Sequence, residues 1–277
     1  MPAPQKAMLS QLAKMNFIAK QIKLPTDWQQ PNDQFPDAFP ASELAVPPNS
    51  PMNLFREPTL NKNHVDTAKQ IGENFEAYID GICGAICSGI DQWMKATAVT
   101  GVIINGPVGV LPPGAVVGPP LNALIMPSAP VSTPQETKYS NAIANALGTL
   151  WQAWHMGITG TLMYPAFATV PAPVAPPMPN VPMPLVALPS PGEAGLAATS
   201  LQGLMISNLA DPTALHASDL FDAIAQAFYS VFQIFKTSTL VQNVIGTGPV
   251  PIFAPPFVPV GPVVMGTGNG VPGSCIM

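Results

Sequence analysis

The side chains able to do chemistry are few and scattered. Three histidines occur, His64, His155 and His216. None belongs to an HExxH pair, a nucleophile turn or a pair of carboxylates placed for acid–base work. His155 follows Trp154 on an apolar run and reads as a packed side chain, not a ligand. Cys83 and Cys87 stand one helical turn apart. Two thiols so spaced can join a zinc site, but such a site takes four ligands and no His or further Cys is near. Two small buried apolar side chains are the simpler reading, and a disulfide between them would strain an intact helix. Cys275 reads as part of a mobile tail, where pairing between subunits needs an oxidising setting. Gly266-Thr-Gly-Asn-Gly270 has the glycines of a phosphate loop without its lysine or its strand-to-helix junction. Asp222 reads as a first-turn acid serving the helix dipole, and Asp80 as a solvated mid-helix position. No catalytic residue, cofactor site or metal ligand is assigned, no cofactor is expected, and the chain reads as a non-enzyme.

What recurs is a helix. Tyr78-Ile-Asp-Gly-Ile-Cys-Gly-Ala-Ile86, Tyr139-Ser-Asn-Ala-Ile-Ala-Asn-Ala-Leu147 and Leu220-Phe-Asp-Ala-Ile-Ala-Gln-Ala-Phe228 align without gaps, placing Asp80, Asn141 and Asp222 in one column. The stripe of the first is Tyr78, Ile82, Ile86, Ile90 and Trp93. Its counterparts are Tyr139, Ile143, Leu147, Trp151 and Trp154, then Leu220, Ile224, Phe228, Phe232 and Phe235. Steps of three and four residues keep each stripe on one helical face. A repeated unit that cannot bury its apolar face alone points to assembly, so these fifteen positions are read as assembly helices. Gly81, Gly84 and Gly89 predict close approach of an equivalent helix.

Four segments follow from this. Residues 1–62 read as an amphipathic helix with apolar Met8, Leu9, Leu12, Met15, Ile18 and Ile22, then an extended strap anchored by Trp28, Phe35, Phe39 and Phe55. Residues 63–134 hold the first repeat helix, Val65 to about Ala98, and a Gly/Pro arm with a hairpin turn at Asn105-Gly106. Residues 135–217 hold the second helix, capped by Thr133 and Glu136, a Pro-rich arm of polyproline II character from Tyr164 to Pro191, and a short helix. Residues 218–277 hold the third helix, capped by Ser218 and ending near Val244, and a last arm. The predicted fold is mainly α with irregular β or polyproline arms: three helix-plus-arm repeats after an N-terminal helix and strap.

Charged residues are 9% of the chain, against about 25% in a typical soluble domain. None occurs from Ala96 to Gln135, from Tyr139 to Gly192, or after Lys236. Such surface needs covering. With 47% hydrophobic residues and a net charge of −5, the 36 prolines do not predict disorder. Ten basic residues are too few for nucleic acid. Lys6, Lys14, Lys20 and Lys23 crowd the first helix, so a membrane-associated or pore-forming protein is the alternative reading. No secretory signal is legible, which predicts synthesis in the cytoplasm.

The runs Gly101-Val-Ile-Ile-Asn-Gly-Pro107, Tyr164-Pro-Ala-Phe167, Ala175-Pro-Pro-Met-Pro-Asn-Val-Pro182 and Gly248 onward alternate with the apolar helices. This alternation resembles structural proteins of tailed phages and of phage-tail-like contractile injection particles. The resemblance implies a structural subunit built into a virion or a cytoplasmic or extracellular particle. Its expected partners are copies of itself and neighbouring particle proteins.

Overall fold

The periodic apolar segments form α1 (Lys6–Ile18), α2 (Thr59–Ala96), α3 (Leu121–Ile125), α4 (Pro134–Met156), α5 (Ala198–Leu209) and α6 (Ala217–Ser238) in a computed structural model. The structure describes residues 4–20, 59–214, 216–254 and 258–277, so the strap with Trp28, Phe35, Phe39 and Phe55 lies outside the described residues. The Thr133–Glu136 capping box starts α4, with Pro134 in the first turn. The third repeat helix starts at Ala217, after His216 with φ of 60°. Ser218 is therefore inside the helix, where its hydroxyl accepts from Gln202. α6 stops at Ser238, short of Val244, because the chain then turns into strands.

The three repeat helices are the centre of a six-helix arrangement. Each groove between two of them is filled by a shorter helix: α1 between α2 and α6, α3 between α2 and α4, α5 between α4 and α6. Gly84 and Gly89 of α2 admit these fillers rather than the equivalent helices, and Gly81 admits Pro130 of the connection between α3 and α4. A Cβ on Gly89 would stand 2.9 Å from the Ile125 side chain of α3, and one on Gly84 3.1 Å from the Lys6 stem of α1.

The expected irregular and polyproline arms need correction. They pair into β1 (Ala98–Asn105), β2 (Val108–Leu111), β3 (Val116–Val117), β4 (Gly160–Met163), β5 (Val174–Pro179), β6 (Met183–Pro184), β7 (Leu240–Val241), β8 (Ile245–Pro249), β9 (Phe253–Ala254), β10 (Val258–Pro259) and β11 (Gly266–Gly270). Seven of these make one antiparallel sheet in the order β4-β2-β1-β11-β8-β5, with β3 also on β1. The chain is thus a helical bundle joined to a substantial sheet, and the repeat is confined to the helices. The segment read as polyproline II, Tyr164 to Pro191, instead holds the edge strand β5, the short strand β6 and single 3-10 turns. The register of β5 shifts between Ala175 and Met178, across Pro176-Pro177, and an edge or a bulge is where a sheet tolerates proline. The Asn105-Gly106 signal corresponds to the β1–β2 turn, where Gly106 takes φ of 58°. Beyond β5, the Val181 N–H donates to the Met163 carbonyl of β4, so a hydrogen bond links the two ends of the sheet.

The sheet curls around an aromatic pair. Tyr164 and Phe167 stack at 5.3 Å with planes 6° apart, and the Tyr164 hydroxyl donates to the Val244 carbonyl at 2.9 Å. Gly109, Gly246 and Gly268 face this pair. A Cβ on Gly246 would stand 2.9 Å from both rings.

Candidate functional site

All fifteen stripe positions are buried within one chain: Tyr78, Ile82, Ile86, Ile90 and Trp93 of α2, Tyr139, Ile143, Leu147, Trp151 and Trp154 of α4, and Leu220, Ile224, Phe228, Phe232 and Phe235 of α6. Trp93 meets Trp151 edge-on at 5.1 Å. Trp154 meets Phe232 at 5.0 Å and Phe235 at 6.4 Å. At the other end of the helices Tyr78 meets Tyr139 at 6.1 Å. Edge-to-face pairs of this kind stabilise by about 0.5–1.5 kcal/mol each beyond the area they bury. The aligned stripes therefore meet inside the molecule, and the surfaces left for partners lie elsewhere.

Ionic contacts tie the fillers to the bundle. The Lys14 ammonium lies 2.5 Å from the Asp80 carboxylate, which also accepts from the Ser10 hydroxyl. Lys20 pairs with Asp222, which also accepts from Gln226. These contacts correct two expectations. Asp80 is not a purely solvated position, and Asp222 serves α1 rather than the dipole of α6, whose first-turn acid is Asp219. Lys14 and Ser10 hold Asp80 below the ordinary carboxylate range. For Asp222 burial works in the opposite direction, and Lys20 and Gln226 outweigh it. Sequence spacing pointed to neither pair, because each joins residues some seventy or two hundred positions apart. The shared column of Asp80 and Asp222 was the available signal.

Lys236 is buried, pairs with Glu193 and sits 5.4 Å from the Phe232 ring centre. His155 is buried, donates its Nδ1 hydrogen to the Trp151 carbonyl at 2.9 Å, and has its pKa lowered by burial. Cys83 and Cys87 are buried free thiols, with Cys87 pushed up to about 12 by burial. The mobile-tail reading of Cys275 is corrected. Its thiol is buried and donates to the Thr97 carbonyl at 3.2 Å. Leu240 and Met277 also exchange backbone hydrogen bonds, which dock the tail beside β7. Among the described residues no three His, Cys, Asp or Glu side chains are grouped to hold a metal, and no helix is long and apolar enough to cross a membrane.

Among the described residues, one broad surface feature is the outer face of the sheet. Register places Thr161, Val110, Ile103, Thr267 and Thr247 in one row across β4, β2, β1, β11 and β8. Val117, Met163, Val174, Met178 and Ile245 are exposed around this row. Every strand lies in the charge-free stretches of the chain. The face is therefore broad, β-branched and without a formal charge, a composition that favours burial against another surface. Comparison with protein-family models, curated proteins and solved structures finds no match for this chain.

Proposed function

We propose that the chain is a structural assembly subunit of a large phage-like or contractile-injection-type particle, with no catalytic role. The observation that carries this reading is the charge-free outer sheet face centred on Ile103 and Val110. Pairing across that row fixes its shape, and a rigid, self-complementary or partner-complementary face is what a permanent interface uses. Two further features support it. The titratable groups that meet in pairs hold the fold together, and the uncharged Gly/Pro runs Gly101–Pro107 and Ala175–Pro182 resemble those of tailed-phage and injection-particle proteins. Copies of this chain and neighbouring particle proteins are its partners.

The test is light scattering and electron microscopy of the purified protein at micromolar concentration, with Ile103→Lys and Val110→Lys as variants. The wild type should form defined high-mass assemblies. The lysine variants should keep their thermal stability, since surface substitutions usually change it by under about 0.5 kcal/mol, but lose mass. A compact monomer under these conditions sinks the proposal.

A further inference from the structure

α1 differs from the other two groove fillers in how it is attached. α3 joins its neighbour α4 through residues 126–133, and α5 joins α6 through residues 210–216. α1 reaches α2 only through residues 19–58. Forty residues can extend to roughly 130 Å at about 3.3 Å each, several times the separation that the short connections allow. The seat of α1 is also generic. Leu9, Ser10 and Ala13 are buried in the groove, Phe17 lies 5.2 Å from Phe75, and Lys14 and Lys20 reach Asp80 and Asp222. Any copy of the chain supplies the same groove and the same carboxylates.

A second property of α1 decides between its own groove and a neighbour's. A helix that belongs to one body carries one apolar face. α1 carries two. Opposite Leu9 and Ala13, at helical spacing, Met8, Met15 and Ile18 are 42%, 57% and 67% exposed. Those side chains are the outer apolar residues of the sequence stripe, which buries only part of itself. An apolar second face is what a helix needs when it is held between two bodies.

We infer that α1 is exchanged between copies. The groove between α2 and α6 of one copy takes the N-terminal helix of a second copy, and Met8, Met15 and Ile18 then lie between the two. Exchange of an identical element forms an interface from contacts already built for the monomer. The intramolecular advantage of a long connection is modest, so neighbours held close in an assembly compete for the groove. This inference rests on the assembly reading and specifies one of its contacts.

The experiment uses the unaltered full chain in light and heavy isotopic forms, mixed in denaturant and refolded together. A zero-length carbodiimide reagent then couples Lys14 to Asp80 and Lys20 to Asp222. Mass spectrometry of the digested sample reads which chains were joined. Exchange gives coupled peptides with one light and one heavy partner at the frequency of random mixing. Coupled peptides that are only light–light or heavy–heavy overturn it. Light scattering on the same sample separates the two proposals: assemblies without mixed pairs remove exchange and leave the assembly reading, whereas monomers without mixed pairs remove both.

Discussion

Asp80 and Asp222 occupy the same position in two repeat helices, and each receives a lysine from the same short helix, α1. The column that sequence alignment draws through Asp80, Asn141 and Asp222 is therefore physical at two of its three members. It marks the walls of the groove that α1 fills.

Replacing either carboxylate should loosen α1. Asp80→Asn and Asp222→Asn are each expected to lower stability by up to about 1 kcal/mol near neutral pH, allowing for solvent screening of these partly exposed pairs. Both groups titrate below the ordinary carboxylate value of 3.8 in the folded state. The folded state then binds fewer protons than the unfolded one in the window between the two values. The contribution is present above 3.8 and is lost as pH falls through the lower folded values. Urea midpoints measured from neutral pH into strong acid should show the gap between wild type and variant closing. A gap that persists in strong acid contradicts the pairing.

His155 acts in a different pH window. Burial lowers its pKa below the ordinary 6.5, so the unfolded chain binds this proton more readily than the folded one. Stability should be full above 6.5 and decline as pH falls from there toward the folded value. His155→Gln should flatten that slope while leaving the carboxylate-dependent loss at lower pH. An unchanged slope in denaturation curves between neutral pH and the carboxylate range would show that another group produces it.

Lys236 and Glu193 should behave as a coupled pair. Glu193→Gln removes the partner of a buried ammonium, and loss of a hydrogen bond to a charged group costs about 1.5–3 kcal/mol. Adding Lys236→Met should recover most of that loss, because a methionine fills the same space without a charge to desolvate. A double-mutant cycle in urea is the measurement. Additive losses would mean the two side chains are energetically independent.

Gly246→Ala tests the aromatic pair inside the sheet. The added methyl meets Phe167 and Tyr164 at 2.9 Å and the Ile104 side chain at 2.5 Å. Overpacking of this kind costs about 1–3 kcal/mol. Gly101, where no atom lies within 4 Å of the added Cβ, has φ of 71°, so its alanine variant reports backbone strain without a clash. Thermal melts of the two variants separate those effects. A Gly246→Ala variant as stable as wild type would show that the sheet does not close on the rings.

The helices were legible because apolar residues repeat every three or four positions along Tyr78–Trp93, Tyr139–Trp154 and Leu220–Phe235, and again along Met8–Ile18. The sheet was hidden by composition. In β8 and β11 the inward positions are Gly246, Gly248, Gly266, Gly268 and Gly270, with Thr247, Thr267 and Asn269 between them. Glycine usually signals a turn. Here it alternates at the period of a strand because Tyr164, Phe167 and close backbone neighbours occupy the space its side chain would take. That period of two was the readable sign. The Lys14–Asp80 and Lys20–Asp222 contacts were not readable, since no local rule links residues so distant. The outer sheet face was readable only as an absence of charge; its row of facing side chains needed the register.

Strand β11 lies at the middle of the sheet although it is the last strand of the chain, flanked by β1 on one side and β8 on the other. During synthesis the ribosome delivers β1, β2, β4 and β5 well before Gly266 appears, and β8 only just ahead of it. Until then Val102, Ile104 and Leu162 have no completed sheet to close over Tyr164 and Phe167. Pairing partners so far apart in the chain form slowly. The newborn polypeptide thus carries unpaired strand edges until this keystone arrives.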